Sequence, residues 1–350
     1  MSDRRKLRAA IVGAGRMGMV HGHLLNVHPE TELVGFADRD TSLAAHLQSQ
    51  GLTAPLYPSL DALFAAAKPE ALFVCTPAHT HLAVVREALK QRVHLFVEKP
   101  LATTRADAEA ILAAADAAGV VHATGYVYAH LPVVQAARDL IAGGVLGELL
   151  RFSAHAYVSE VFSAKQGWFF QKELSGGGVV ANMASHLLFV LGWMFGPIRR
   201  VVATTRSHAS TVDDSAQALL TFGNGLSGLL DTSWSVPGTQ MLDYGLTVDG
   251  RRGTLFLARE RIRLHLLEPV EGFQKGWNEI HASELAADTA YDVAPHIGGE
   301  AFYRQLSSFV DACRTGVQPF CSLAEGCNTQ RMIDAIYASA AAGATPVDAA

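Results

Sequence analysis

The chain has 350 residues, of which 49% are hydrophobic and 17% charged, and its net charge is -5. That length exceeds one ordinary domain, and the composition is that of a chain with a large core, which excludes disorder. The mild acidity, without a basic cluster, argues against nucleic acid or an anionic membrane as partner. Cys75, Cys313, Cys321 and Cys327 form no Cys-x-x-Cys unit, so neither a zinc knuckle nor a disulfide framework is indicated. The basic start, Met1 to Lys6, feeds only the short apolar run Leu7 to Val12. No uninterrupted apolar stretch approaches the ~18 residues of a membrane span, and the expectation is a cytoplasmic protein.

In chain order, the strands Ala9–Val12, Leu33–Ala37, Ala71–Cys75, His94–Val97 and Val121–Thr124 alternate with helical patterns, including 83–90 and the Ala-rich 106–118. Short buried strands separated by helices predict a parallel sheet covered on both faces, a doubly wound Rossmann domain over residues 1–126. After a helix at 133–142 the pattern changes. Segments 149–158, 215–222, 226–235, 245–249, 253–257 and 261–267 read as strands, with the hairpin signal Asn224-Gly225 between two of them. A helix at 183–195 and a final one at 330–341 complete this part. Residues 127–350 are therefore expected to form an α/β domain with a large, open, mainly antiparallel sheet.

Gly13-x-Gly15-x-x-Gly18 lies between the first strand and a helix, the context a dinucleotide fingerprint requires. The first glycine allows the tight turn, the second lets backbone approach a pyrophosphate, and the third lets helix pack on strand. The N–H groups of Arg16, Met17 and Gly18 then open the helix toward the phosphates. Asp38 ends the next strand twenty residues beyond Gly18, where a carboxylate accepts from the adenine ribose hydroxyls and repels a 2′-phosphate. NAD is the expected cofactor. Arg39 beside it is able to pair with a phosphate, which keeps NADP open.

Glu98-Lys99-Pro100 directly follows the strand 94–97, at the carboxyl end where ligands of open parallel sheets bind. A lone lysine there reads as an ordinary loop ion pair. The wider pattern says more: the glycine loop, Asp38, Thr76-Pro77 with His79 and His81, Glu98-Lys99-Pro100, Gly176-Gly177-Gly178 with His186 eight residues beyond, and the final helix around Ile333–Ala340. Together these resemble the Gfo/Idh/MocA oxidoreductases over nearly the whole chain. The resemblance implies hydride transfer between a secondary hydroxyl of a sugar or polyol and NAD or NADP. It assigns Lys99 to the catalytic lysine that holds the reacting oxygen, and His186 to the proton acceptor. Thr76, Pro77, His81, Glu98 and Lys99 are expected along the cofactor.

Two departures from the family stand out. Its usual Asp-x-Gly-x-His reads Asn182-Met183-Ala184-Ser185-His186 here, so residue 182 cannot supply negative charge to an imidazolium. On a helix, residues 182 and 186 would share one face. An arginine-bearing stretch is replaced by Gly125-Tyr126-Val127-Tyr128-Ala129-His130, whose phenols are candidates to bind a sugar. Trp168, Tyr157, Lys165 and His296 are further pocket candidates. His21-Gly22-His23 and His79-Thr80-His81 lack a third ligand, so no metal is expected.

The expected function is a dehydrogenase of sugar or polyol hydroxyls. The alternatives are a redox-neutral NAD-dependent glycosidase, which oxidises its sugar transiently, and a non-catalytic dinucleotide-binding protein. The resemblance further implies a homodimer or homotetramer.

Overall fold

The structure, a computed structural model, describes residues 5–270, 272–285 and 299–349. Contacts divide the chain into a first unit, Met1–Val127 with Thr289–Cys327, and a second, Tyr128–Asp288 with Asn328–Ala350.

The first unit opens with β1 (Leu7–Val12), α1 (Arg16–Val27), β2 (Thr31–Ala37), α2 (Leu43–Ser49), β3 (Leu56–Tyr57) and α3 (Leu60–Ala67). It continues with β4 (Ala71–Val74), α4 (His81–Leu89), β5 (His94–Val97), α5 (Arg105–Ala118) and β6 (His122–Thr124). Its described strands pair in the order β3-β2-β1-β4-β5-β6, all parallel. That is the doubly wound Rossmann order, with its reversal between β1 and β4, where ligands bind. Strand residues alternate between two cores. Ala10, Val12, Leu72, Val74, Leu95 and Val97 meet one helical layer. Ala9, Ile11, Phe36, Phe73 and Phe96 face the other. Burial on both faces is why these strands are continuously apolar. Local signals set the helix ends: the Thr104 hydroxyl accepts from the Asp107 N–H at 3.2 Å, and Gly119, at φ +63°, terminates α5.

The second unit begins with α6 (Pro132–Ala142), β7 (Leu149–Tyr157), α7 (Lys172–Ser175) and α8 (Ser185–Phe195). Then come β8 (Ile198–Arg206), β9 (Ser215–Phe222), β10 (Ser227–Ser233), β11 (Asp243–Gly250), β12 (Gly253–Ala258), β13 (Arg261–Leu266), β14 (Gly276–His281) and α9 (Ala282–Leu285). The chain's last described elements are α10 (Gly299–Thr315), α11 (Leu323–Ala341) and β15 (Val347–Asp348). The described strands form one sheet, β14-β13-β12-β11-β7-β10-β9-β8-β15. Only the β7–β10 pair is parallel. Asn224-Gly225 makes the β9–β10 hairpin, with Gly225 at φ +88°. Alternate residues of β7, Phe152, Ala154 and Ala156, face a core shared with α6, α8 and α11, while Leu219, Leu229 and Phe256 are exposed. The run Lys172–Phe195 is apolar and long enough to cross a membrane by composition, yet 72% of its most apolar window is buried. Core packing accounts for that composition.

Two expectations need correction. A second domain continuous over 127–350 misses the return of α10 and the start of α11 to the first unit. Leu306, Phe309 and Val310 of α10 join the core of Phe36, Phe73 and Phe96, with Phe309 edge-on to Phe73 at 5.5 Å. Thr124 holds the entry to α11, its N–H donating to the Cys321 carbonyl at 2.7 Å. The helix expected at 183–195 begins instead with a π-helical turn, Val180–Ala184, before α8.

Candidate active site

In the first unit the glycine loop joins β1 to α1. Gly13 adopts φ +92°, and a Cβ there would lie 2.7 Å from the Cys75 carbonyl carbon, against the end of β4. A Cβ at Gly18 would lie 2.0 Å from the Gly13 oxygen, so helix and turn pack at backbone distance. Gly15 has open space beside its Cα and caps α1 without a side chain. No acidic residue occupies the first turn of α1. The opening N–H groups, at Arg16, Met17 and Gly18, are thus left to an anionic ligand. Asp38 Oδ2 accepts from the Ala14 N–H at 2.8 Å and Oδ1 from the Asp40 N–H at 3.0 Å. A carboxylate has about four acceptor positions, so both oxygens keep capacity for hydroxyl donors. Arg39 beside it is exposed. The loop, the uncapped helix start and the tethered Asp38 fit a dinucleotide.

Beyond β4, Thr76 Oγ accepts from the Thr80 hydroxyl at 2.7 Å, and Pro77 starts the turn that leads into α4. His81 differs from expectation. Its Nε2 faces the Thr76 carbonyl at 2.8 Å and its Nδ1 the Leu101 carbonyl at 3.0 Å. Buried between two carbonyls, the ring braces the loop after β4 to the segment after β5 rather than offering a nitrogen to a ligand. Burial lowers its pKa, against the pull of both carbonyls.

Glu98, Lys99 and Pro100 follow β5, and the Lys99–Pro100 peptide is cis. The Glu98 carboxylate is buried, with a partner on each oxygen: His21 Nε2 lies 2.7 Å from Oε1, and the Lys99 N–H donates to Oε2 at 3.1 Å. The His21 ring is walled by Phe73 and by Phe96, whose centroids lie 5.3 and 4.9 Å away. His21, weighed in the sequence only as a metal ligand, therefore ties the dinucleotide helix α1 to the backbone of Lys99. The adjacent Glu98, expected along the cofactor, forms the other end of this tie. Desolvation lowers the Lys99 pKa, opposed by the Glu98 charge. An ammonium in this setting is a strong hydrogen-bond donor that gives up its proton more readily than a solvated lysine.

Tyr126, just past β6, is fully buried. It has no exposed face on which a sugar could stack, which corrects the expectation for this residue.

In the second unit, His186 lies in the first turn of α8, buried, with the Tyr128 ring stacked on it at 4.3 Å and 18°. Tyr244 packs beside Tyr128, its ring 5.1 Å away and tilted by 36°. Burial raises the pKa of both phenols, that of Tyr244 to about 12, so both are neutral hydroxyls. Asn182 lies in the π-helical turn, its N–H donating to the Gly178 carbonyl at 3.0 Å and its carbonyl accepting from the Ser185 hydroxyl at 2.9 Å. Its register to His186 is set by that turn, and not by the α-helical spacing expected. π-Turns inside helices are frequent at functional sites because they displace a side chain from the regular ladder.

The remaining candidates scatter. Tyr157 donates to Asp231 Oδ2 at 2.8 Å and stacks on His155, on the sheet face opposite the core that holds α8. Trp168 and Lys165 lie in an exposed stretch, Trp168 edge-on to Phe169 at 5.7 Å. His296 lies outside the described residues. Among the described residues no group of three or more His, Cys, Asp or Glu side chains is arranged to hold a metal ion.

Comparisons with known proteins bear on both units. A family model described as an oxidoreductase family with an NAD-binding Rossmann fold matches residues 7–126, and the GFO/IDH/MocA C-terminal domain matches 134–256. The D-apiose dehydrogenase of Paraburkholderia graminis is 27% identical over 350 residues, covering 97% of this chain and 89% of its own. The 2,7-anhydro-N-acetylneuraminate hydratase of Escherichia coli is 31% identical over 194 residues, 55% of this chain and 50% of its own. A levoglucosan dehydrogenase solved with NADH and levoglucosan superposes with a TM-score of 0.87 at 21% identity, covering 99% of this chain and 100% of its own.

Proposed function

We propose, from the premise that the chain belongs to the Gfo/Idh/MocA family of NAD-binding oxidoreductases, that it oxidises a secondary hydroxyl of a sugar or polyol. The observation that carries this reading is the Glu98-Lys99 arrangement, a desolvated ammonium whose backbone is tied to the helix that receives a dinucleotide. The names of the relatives supply the substrate class: the matching dehydrogenases are named for sugars and anhydrosugars.

NAD, when bound, supplies the hydride acceptor. The Lys99 ammonium donates to the reacting oxygen and stabilises the negative charge that develops as the C–H bond is broken. His186 takes the hydroxyl proton, a task suited to an imidazole because its unperturbed pKa lies near neutrality. Tyr128, stacked on that imidazole, fixes the plane of the ring. Asn182 hydrogen-bonds a neighbouring substrate hydroxyl through its amide. Asp38, holding the glycine loop through Ala14, favours the unphosphorylated ribose of NAD. The exposed Leu219, Leu229 and Phe256 on the open sheet face suit self-association of two copies of the chain.

A second reading is favoured by the hydratase among the relatives. There the sugar is oxidised transiently, a neighbouring group is eliminated, and the product is reduced again with no net change in cofactor. Absorbance at the reduced-nicotinamide band, across a panel of aldoses, polyols, glycosides and anhydrosugars with each cofactor, separates the two. Stoichiometric NADH with one class of sugar supports the dehydrogenase. Product formed without NADH accumulation supports the redox-neutral reading, and NAD binding without any turnover rejects both.

A further inference from the structure

The segment that delivers Asn182 and His186 is gripped by a carboxylate far away in sequence. Asp213, in the loop between β8 and β9, is buried at 8% exposure. Its Oδ1 accepts from the Gly178 N–H at 2.6 Å and its Oδ2 from the Val180 N–H at 2.9 Å. The Val179 N–H between them donates to the Asp213 main-chain carbonyl at 2.8 Å. Three successive N–H groups at the mouth of the π-helical turn are thereby held by one residue. The Tyr337 hydroxyl of α11 adds a third bond to the carboxylate, donating to Oδ1 at 2.8 Å.

The glycines belong to the same device. A Cβ at Gly177 would lie 1.9 Å from the Tyr337 hydroxyl oxygen, and one at Gly178 would lie 2.1 Å from the Asp213 carbonyl oxygen. Any side chain at either position would part the loop from Asp213 and Tyr337. From this grip the chain runs without a break into the turn Val180–Ala184 and then α8. The Asn182 N–H closes back on Gly178, one of the gripped residues. A carboxylate that accepts from backbone N–H groups as well as a phenol is a strong, directional anchor, because charge-assisted bonds exceed neutral ones by roughly twofold.

We propose that Asp213 is a positioning residue for His186, acting through residues 178–180 and the π-helical turn, with Tyr337 as its second hold. The proposal rests on the reading of His186 as proton acceptor and extends it to a residue that touches neither substrate nor cofactor. Asp213→Asn keeps one acceptor but turns an NH2 group toward the Val180 N–H, which opens the grip at that point. Tyr337→Phe removes one bond and leaves both backbone bonds in place.

The test uses the full chain with isotopically labelled histidine, the His186 imidazole signal being assigned by its loss in His186→Gln. For Asp213→Asn the expected outcome is a displaced His186 signal, a shifted titration midpoint for that ring, and a kcat lower by about 10- to 100-fold with KM for NAD within about twofold. Tyr337→Phe, which leaves the loop's backbone bonds intact, should move the same readouts in the same direction by less. An unchanged His186 signal and midpoint in both variants, whatever happens to melting temperature, overturns the proposal. A displaced signal with undiminished kcat supports the positioning role and counts instead against His186 as the proton acceptor.

Discussion

The two units hold their candidate residues by different means. In the first, the glycine loop, Asp38 and Lys99 sit at the carboxyl ends of parallel strands, each within a few residues of the strand that places it. In the second, His186 and Asn182 ride on a turn whose shape depends on Asp213, 35 residues from Gly178, and on Tyr337, 124 residues from Asp213. Most of the first site is built by local backbone geometry, with the His21–Glu98 pair as a long-range tie, and the second by a tertiary anchor. Substitutions in the first should therefore act on single interactions, while those in the second should spread along the turn.

The sharpest cut at that contrast is Lys99→Met. Loss of the ammonium should lower kcat by about 100- to 1,000-fold while NAD binding persists, measured by steady-state turnover beside calorimetry. Lys99→Arg probes the same group by pH. In the parent, kcat/KM should fall as pH rises through the folded pKa of Lys99, which desolvation places below the ordinary lysine value. The guanidinium variant stays charged, so whatever activity it retains should lack that limb.

Asp38→Ala tests the dinucleotide end of the first unit. Losing a carboxylate that accepts from ribose hydroxyls costs about 1.5–3 kcal/mol, roughly a 10- to 100-fold weaker Kd for NAD, with NADP weakened less. Equal loss for both cofactors would remove Asp38 from the account of their discrimination.

Asn182→Asp is the mildest change and belongs to the second unit. A carboxylate near the imidazole favours its charged form, so the pKa governing His186 in the pH–rate profile should rise by about one unit. An unmoved profile would mean that the π-helical turn points residue 182 away from the ring.

Much of the first unit was legible because its signals are local. Gly13, Gly15 and Gly18 between a strand and a helix, an acid at position 38, and continuously apolar strands each report on backbone geometry within a short window. The helix α10 was not read, although Leu306, Phe309 and Val310 carry a helical spacing, and nothing in that spacing says which sheet the helix covers. The π-helical turn was read as part of an ordinary helix, because its extra residue per turn leaves no mark on an apolar run such as Val179–Ala181. His21 drew notice for the wrong reason. Its partner Glu98 lies 77 residues away, so its role in tying α1 to Lys99 is a tertiary fact. Asp213-Asp214 stood in the sequence as an unremarked acidic pair between two strands. Only the fold separates their tasks. Asp213 grips the turn, while Asp214 caps residues 208–210 and accepts from the Trp234 indole at 2.7 Å; against the cost of burial, the Ser210 hydroxyl first, then the Ala209 N–H and the indole, hold its pKa at about 2.

The claim at the centre is that the first unit holds the cofactor while His186 of the second moves the proton. Calorimetric NAD binding to His186→Gln, set beside turnover on whichever sugar the parent oxidises, tests it most directly. The expected result is an NAD Kd within about twofold of the parent and a kcat lower by about 100- to 10,000-fold. Undiminished turnover, or loss of NAD binding in parallel with turnover, would contradict it.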